Sequence, residues 1–327
     1  MPTVRRWSRH QQNGAIVQPA IAERPQFLAW VDRNGVVGDT LPMPEGHYYK
    51  GAIAPDGRRA AVEFSTRSSE PSMIWIIDLV RGTSQRMTFE AGNHGPVWSP
   101  HGDEIAFTRQ IGSNNRDIWT MRPDTPGSAQ LRVALPNIFN APVDYSPDGR
   151  SLVYRTQGTD TRQDIMLAIF GETVTTRPLL ATRFNELYGV ISPDGRSIAY
   201  LSDESGTTEV YVRAFPAMTG QIRVSTSGAF GTFDVAGIGR PAWRRDGREL
   251  IYTAADGRTV LTVEVQPGTP PDFGTPRRLF TLPAGAREMM VATPDLDRFL
   301  MGLERRESGR VALTVLTNWT ALLEQAK

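Results

Sequence analysis

The 327-residue chain contains no cysteine, and this absence removes several kinds of chemistry at once. Without a thiol there is no disulfide, no cysteine nucleophile and no cysteine-based zinc or iron–sulfur site. Histidine is also scarce, with four copies in the whole chain. A lack of cysteine suits a reducing or an oxidising compartment equally, so the localisation stays unknown.

The chain also lacks an excess of one charge and a long apolar run. Its 36 Lys and Arg residues face 35 Asp and Glu residues, a balance that argues against a nucleic-acid partner. The longest apolar run, residues 73–80, is interrupted by Asp78 and is too short to insert into a membrane. Because the N-terminus has no apolar signal-peptide core, we expect a cytoplasmic location as written, or a periplasmic one within a longer chain.

Sequence motifs of the common enzyme classes are missing. There is no G-x-S-x-G nucleophile turn, no H-E-x-x-H zinc motif, no Walker A loop and no EF-hand loop. The glycine-rich loop, HRD and DFG motifs of protein kinases are absent as well. We therefore expect no catalytic residues and no cofactor.

What the chain does contain is a motif of about ten residues, best seen in YSPDGRSLVY, that recurs six times. Its central position is occupied by Asp56, His101, Asp148, Asp194, Asp246 and Asp295. The spacings of 45, 47, 46, 52 and 49 residues fall in the range of β-propeller blades. Within the motif, Pro presets the turn, Asp tolerates its next position and Gly takes the left-handed one, which predicts a tight turn between two strands.

Short β-rich runs follow each turn and predict four strands per repeat. The first run after the turn covers residues 60–64, 104–108, 151–155, 197–201, 249–253 and 298–302. The next covers residues 73–78, 117–121, 164–169, 209–215, 259–265 and 311–316. Since helical periodicity is scarce, the pattern predicts an all-β, six-bladed propeller of four-stranded antiparallel blades.

A propeller must close its ring, and the two ends of the chain offer the means. Residues 27–31 and 36–41, joined by the hairpin signal Asn34-Gly35, are predicted to complete the last blade. If residues 14–17 also form a strand, a seven-bladed ring is the alternative. The predicted organisation is a partly irregular tail, residues 1–24, and a single propeller domain, residues 25–327.

The repeat motif resembles the TolB-type, WD-like repeats of bacterial propellers. Segments such as FLAWVDRNGVVG and RRDGRELIYTAADGRTVLTVEV look closest to the propeller attached C-terminally to receptor-like bacterial serine/threonine kinases. The resemblance covers about residues 25–322 and implies a TolB-like propeller that binds partner proteins. Since no kinase motif is present, the chain is either a sensor portion or a free-standing propeller.

Candidate binding residues come from aligning the repeats on the turn position. The residues seven and eight positions before it are expected to ring one mouth of the central channel, and those with binding chemistry are Tyr48, Tyr49, Asn93, His94, Asn140, Glu186, Arg287 and Glu288. The favoured hypothesis is a non-catalytic module, expected to be monomeric, that holds a protein, peptide or small ligand there. A polar, water-filled mouth without a ligand is the simpler interpretation.

An enzyme of the lactonase type is the alternative function. Such a propeller would hold a metal in its channel, and the available ligands would be His94, Glu186, Glu288 and the asparagines Asn93 and Asn140. Because these residues are spread around the predicted ring, the sequence favours the binding module.

Overall fold

The computed structural model describes residues 16–19, 24–90, 92–112, 115–134, 139–158, 161–231, 238–305 and 313–316, and the side chains of residues 16–19, 288 and 313–316 are not described. Its regular structure consists of β-strands joined by turns. Within these ranges, no helix is long and apolar enough to cross a membrane.

The strands are numbered in chain order. The first eleven are β1 (Ile16–Pro19), β2 (Gln26–Asp32), β3 (Val37–Thr40), β4 (His47–Ile53), β5 (Arg59–Ser65), β6 (Met73–Asp78), β7 (Thr83–Arg86), β8 (Asn93–Trp98), β9 (Ile105–Ile111), β10 (Asn115–Met121) and β11 (Gln130–Val133). The next eight are β12 (Asn140–Tyr145), β13 (Ser151–Gln157), β14 (Gln163–Ile169), β15 (Thr175–Leu180), β16 (Glu186–Ile191), β17 (Ser197–Ser202), β18 (Glu209–Ala214) and β19 (Ile222–Arg223). The remainder are β20 (Ala242–Trp243), β21 (Glu249–Thr253), β22 (Thr259–Gln266), β23 (Asp272–Phe273), β24 (Arg277–Thr281), β25 (Ala286–Ala292), β26 (Arg298–Glu304) and β27 (Leu313–Leu316).

The strands between residues 25 and 305 form six antiparallel blades, which confirms the predicted six-bladed propeller. Blades 1 to 4 are β4–β7, β8–β11, β12–β15 and β16–β19, each in sequential order from the channel outward. Blade 5 contains β20–β24, with β23 and β24 both pairing with β22. Blade 6 has the order β25-β26-β2-β3, so it is built from both ends of the propeller segment.

Ring closure follows the prediction except for one strand. The N-terminal strand β2 pairs with β26 over seven residues, from Gln26 opposite Glu304 to Asp32 opposite Arg298. The run at residues 311–316, predicted as a further strand of this blade, is not part of it. Strand β26 already pairs with β25 on one edge and β2 on the other, so it offers no third edge.

Strand β27 instead pairs with β1 in a separate two-stranded antiparallel sheet. This sheet belongs to a compact unit made of residues 1–24 and 306–327, distinct from the unit formed by residues 25–305. The possible N-terminal strand is therefore present at Ile16–Pro19, but it does not build a seventh blade. Residues 14 and 15 lie outside the described residues.

The hydrogen bonds of the repeat motif explain why its residues recur. In the third copy the Ser146 hydroxyl donates to the Asp148 carboxylate at 2.6 Å and accepts the amide of Ser151 at 2.9 Å. Gly149 has φ +70°, a value that favours glycine. In the second copy, where His101 replaces Asp, the Ser99 hydroxyl donates to Asp103 instead, at 2.7 Å. The motif is thus a turn stabilised by side-chain oxygens.

Aromatic residues at the end of the inner strands join neighbouring blades. The Trp98 indole donates to the Ala52 carbonyl of blade 1 at 2.9 Å, and the Trp243 indole donates to the Val190 carbonyl of blade 4 at 3.2 Å. The apolar clusters likewise span blade boundaries, as where Trp98 packs with Ala61 and Ile76. Burial of each large apolar side chain contributes about 1.5–3 kcal/mol, so the ring is stabilised mainly between its blades.

One ion pair also joins the closing blade to its neighbour. Arg33, in the turn between β2 and β3, lies 2.5 Å from the Glu249 carboxylate of blade 5 and donates to the Leu296 carbonyl at 2.9 Å. Burial raises the pKa of Glu249, but the hydrogen bonds from Arg33 and Thr262 outweigh it, so the pKa is lowered overall. The pair therefore stabilises the ring where its two ends meet.

We expect Arg33→Ala to lower the free energy of unfolding by about 1–3 kcal/mol, because the buried Glu249 carboxylate loses a charged partner. Urea denaturation measures the change, and Arg150→Ala, which removes an exposed arginine from a turn of blade 3, is the control. A loss no larger for Arg33→Ala than for Arg150→Ala would contradict a role of the pair in ring closure.

Candidate functional site

The six inner strands surround a central channel with a volume of about 600 Å³. One end of the channel, which we name the turn end, is lined by the proline position of each repeat: Pro55, Pro100, Pro147, Pro193, Pro294 and, in blade 5, Arg245. The opposite end, where the inner strands begin, is named the mouth. It contains a second cavity of about 350 Å³.

The mouth cavity and the channel share part of their lining, and we name this shared boundary the neck. Its residues line both cavities and are Lys50, His94, Arg116, Phe139 and Arg155. They come from blades 1, 2 and 3, so the neck is off-centre in the ring. Three of the five carry a permanent positive charge, so an entering ligand meets cations.

Phe139 packs against two of these cations. The guanidinium of Arg116 is 4.9 Å from the ring centroid, and that of Arg155 is 5.1 Å from it. Arg155 also lies 5.7 Å from the ring centroid of Tyr188 and is only 2% exposed. Cation–π contacts of this kind use the face of the guanidinium, whereas its hydrogen-bond donors point outward in its plane.

His94 and Tyr49 are the predicted residues that line the mouth cavity. The Nδ1 atom of His94 lies 2.8 Å from Oε1 of Glu63 and 3.1 Å from the Ser72 hydroxyl. The Gly95 amide donates to the other oxygen of Glu63 at 2.9 Å. Burial raises the pKa of Glu63, but the hydrogen bond and charge of His94, with Lys50 and the Gly95 amide, lower it overall.

This serine, histidine and glutamate do not form a catalytic triad. In a triad the nucleophile and the carboxylate contact different nitrogens of the imidazole, so that a proton can pass between them. Here Ser72 and Glu63 share Nδ1 of His94, and Ser72 is buried at 3% exposure. The arrangement orients the imidazole and anchors the start of β8.

Three predicted residues lie inside the blades rather than at the mouth surface. Tyr48 is fully buried, packs against the Phe64 ring at 4.9 Å and donates its hydroxyl to the Pro44 carbonyl. Asn93 is fully buried, with its amide donating to the Glu90 carbonyl and accepting from Arg109 at 3.2 Å. The buried amide of Asn140 donates to the Arg116 carbonyl at 3.2 Å. These side chains stabilise the loops that frame the mouth.

The remaining predicted residues are also separated from the neck. Glu186 is buried and accepts from the hydroxyl and amide of Thr182, and burial, with the charges of Asp164 and Asp203, raises its pKa. Arg287 is exposed and pairs with Glu304 through two contacts of 2.7 and 2.9 Å. The side chain of Glu288 lies outside the described residues.

A β-bulge in the inner strands explains why the aligned columns missed the lining residues. The pairing register shifts between Tyr48 and Gly51 in blade 1, and between Leu187 and Val190 in blade 4. Such a bulge re-aims the following side chains. Lys50 and Tyr188, one or two residues after the predicted columns, therefore line the channel.

His94 was predicted, whereas Arg155, Arg116 and Phe139 were missed because they come from a second strand, a third strand and a loop. A sequence signal existed for one of them. Arg155 stands seven residues after the turn residue Asp148, at the same place as Glu63 after Asp56, and each is the one charged residue in the interior of its strand. A charge at that position is the feature that marks the site.

Deeper in the channel, one carboxylate faces one guanidinium. Oδ1 of Asp144 lies 3.4 Å from Arg240, and Oδ2 accepts the amide of Ile191 at 2.8 Å. Burial raises the pKa of Asp144 to about 6, against the lowering effect of Arg240 and of the amide. The pair connects blade 3 to the loop that leads into blade 5.

The predicted metal ligands are not brought together. Asn93, Asn140 and Glu186 are engaged by neighbouring protein atoms, and His94 faces Glu63. Across the residues that the structure describes, no group of three or more His, Asp or Glu side chains is placed to hold a metal ion.

The raised pKa of Asp144 predicts a specific pH dependence. Between about pH 4 and pH 6 the folded protein keeps a proton that the unfolded chain releases, so stability falls as the pH rises through this window. Relative to Asp144→Asn, the native protein should lose roughly 2 kcal/mol of unfolding free energy from pH 4 to pH 7. Urea denaturation across this range tests it, and parallel curves for the two proteins would contradict the expectation.

Glu63 predicts a dependence of the opposite sign. Its lowered pKa stabilises the fold above about pH 4.5, and this contribution is lost as the pH falls through the folded-state pKa. Glu63→Gln should therefore cost about 1–3 kcal/mol at neutral pH and less in acid. Thermal unfolding, followed by circular dichroism, measures the cost at neutral pH and in acid. Glu70→Gln on the exposed rim is the control. An equal cost at both pH values would show that the charge is not what matters.

Solved structures of other proteins share this architecture. No protein-family profile matches the chain. A segment of 176 residues is 28% identical to the Tol-Pal system protein TolB of Francisella tularensis, covering 53% of this chain but only 39% of that protein. Among solved structures, the protein provisionally assigned as TolB in Agrobacterium tumefaciens aligns with a TM-score of 0.65 and 18% identity, covering 88% of this chain and 100% of that one.

TolB from Acinetobacter baumannii aligns with a TM-score of 0.56 and 17% identity, over 88% of this chain and 65% of that one. This chain thus matches less than two thirds of the length of the TolB proteins from Francisella and Acinetobacter. At these identities the structural likeness concerns the fold, which by itself does not define a function. The chain is a TolB-like β-propeller in architecture.

Proposed function

We propose that this chain is a non-catalytic binding module that holds a segment of a partner protein or peptide at the mouth of its channel. The observation that carries the proposal is that two adjacent cavities share five lining residues. About 350 Å³ at the mouth borders about 600 Å³ of channel, and both volumes lie in the range of ligand sites.

The lining of the mouth supports a binding role. Tyr49, Phe139 and Pro71 offer apolar surface beside the charged side chains of Lys50 and Arg116. Aromatic and arginine side chains are the residues on which binding energy is most often concentrated at interfaces. Tyr49 and Lys50 lie on β4 and Arg116 lies on β10, so this part of the surface is held in shape before a partner arrives.

The chemistry of the mouth gives less support to a hydrolase. Ser72 and Glu63 contact the same nitrogen of His94, and Ser72 is buried. A hydrolytic mechanism needs either an accessible nucleophile or an activated water in this place. The lactonase alternative therefore has no specific observation in its favour.

A more specific form of the proposal is a sensor or scaffold role in a bacterial signalling or envelope protein. It is supported by the resemblance of the repeats to the propellers of receptor-like kinases and by the TolB relatives, which belong to the Tol-Pal system. Sequencing the coding region upstream in the native host tests the kinase version. An in-frame kinase domain would support it, and a stop codon directly upstream of Met1 would oppose it.

Site-specific photo-cross-linking tests the binding role. We expect a photoreactive amino acid at Ser68, which lines the mouth, to capture a discrete partner from native host lysate, whereas the same group at Arg150 on the opposite turns should not. Tyr49→Ala combined with Glu70→Ala, which leaves the neck cations intact, should reduce the capture roughly fivefold because it removes rim contacts. Equal capture from both positions, or none from Ser68, would refute a partner at the mouth.

A further inference from the structure

We infer that the neck recognises a peptide carboxylate, and that the favoured ligand is an acidic group next to an apolar residue. The inference rests on the proposed binding role of the mouth and adds the chemical class of the ligand. It depends on three features: the charge of the neck, the geometry of its guanidinium groups, and the apolar walls of the channel below it.

Positive charge dominates the neck. The five residues that line both cavities include three cations, Lys50, Arg116 and Arg155, and no carboxylate, whereas the carboxylates Glu63, Glu70 and Asp144 each line only one of the cavities. Glu63 receives hydrogen bonds from His94, Ser72 and the Gly95 amide. Asp144 lies farther along the channel, against Arg240 and the Ile191 amide. The balance of charge therefore favours an anion at the neck.

The guanidinium groups are arranged for directional hydrogen bonds. Arg116 and Arg155 both pack against the ring of Phe139, at 4.9 and 5.1 Å from its centroid, and this restricts their orientation. A guanidinium held by its face presents its donors at the edge, which matches the two oxygens of a carboxylate. Since Arg155 is 2% exposed, its attraction for an anion would be weakened less by surrounding water than that of an exposed arginine.

The channel below the neck offers apolar surface beside its polar groups. Its wall includes Pro96 and Val97 of blade 2, Pro142 and Val143 of blade 3, and Val190 of blade 4. An apolar side chain that follows the anionic group could bury its surface here, at about 25 cal/mol per Å². Inorganic phosphate would use the charges but would leave most of the roughly 600 Å³ of channel unfilled.

A carboxylate can reach the neck from two parts of a peptide. It is either the side chain of an acidic residue within a segment or the free C-terminus of the chain. Both offer two oxygens in one plane, so the neck chemistry alone treats them alike. The test must therefore include both forms.

Fluorescence anisotropy with short labelled peptides tests the inference on the full chain. One amidated peptide carries a glutamate flanked by two leucines in a glycine–serine background, and a second has glutamine in place of the glutamate. A third ends in two leucines with a free carboxylate, and a fourth replaces the leucines of the first with serines. We expect at least one of the two leucine-containing carboxylate peptides to bind about tenfold or more tightly than the glutamine peptide, with affinity falling as salt is added.

Three neck variants identify the residues responsible. Lys50→Gln and Arg116→Gln should each weaken binding of the carboxylate peptide about fivefold or more while leaving binding of the glutamine peptide unchanged. Arg196→Gln, an exposed arginine in a turn at the other end of the channel, is the matched control. Arg155→Lys keeps the charge but loses the planar fork, so it should also weaken binding. Unfolding temperatures verify that each variant is folded.

The inference is overturned if the glutamate, free-carboxylate and glutamine peptides bind alike, if none binds, or if Arg116→Gln and Arg196→Gln behave the same. Competition by millimolar inorganic phosphate as effective as the unlabelled carboxylate peptide would also overturn it, because a small anion would then suffice. Failure of the carboxylate inference can be distinguished from failure of the proposed binding role. Partner capture from Ser68 that persists in Lys50→Gln and Arg116→Gln would leave the binding module standing and remove only its carboxylate preference.

Discussion

The pairing of β2 with β26 is the contact on which the rest of the structure depends. A four-stranded blade cannot bury both of its faces alone, so each blade needs a neighbour on either side. Seven residues of antiparallel register, from Gln26 opposite Glu304 to Asp32 opposite Arg298, supply the last of these neighbours. Ion pairing of Arg33 with Glu249 adds a contact between the closing blade and blade 5. Without closure there would be no channel, and the side chains of the neck would not converge.

Much of the fold could be predicted because it rests on interactions that repeat. The turn motif uses the same hydroxyl, carboxylate and glycine in several blades, as Ser146, Asp148 and Gly149 show, so its copies are visible in the sequence. The strand at residues 311–316 was predicted wrongly for a related reason. Its β-rich pattern resembles a blade strand, but pairing partners are chosen in three dimensions, and β2 takes that place beside β26.

The site was less predictable because it is built from departures from the repeat. Periodicity locates the mouth, and Tyr49 and His94 do line it. Periodicity does not reveal the bulge after which Lys50 lines the channel. It also does not reveal that Arg116 and Arg155 both pack against Phe139. Tyr48 shows the same limit of periodicity. It precedes Tyr49 by one residue, yet Tyr49 lines the mouth cavity whereas Tyr48 is fully buried.

The distribution of charge around the ring gives the strongest reason to look for function on one side of it. Seven residues after the turn position, blades 1 and 3 carry Glu63 and Arg155, whereas the other blades carry Thr108, Leu201, Thr253 and Gly302. A water-filled mouth without a ligand requires polar groups but no such asymmetry. Holding Glu63 at 4% exposure and Arg155 at 2% costs desolvation free energy that threonine or leucine at the same place would avoid. Because Glu63 also anchors the start of β8, whereas Arg155 lines both cavities, the asymmetry at Arg155 is the part that supports the proposed binding role between blades 1, 2 and 3.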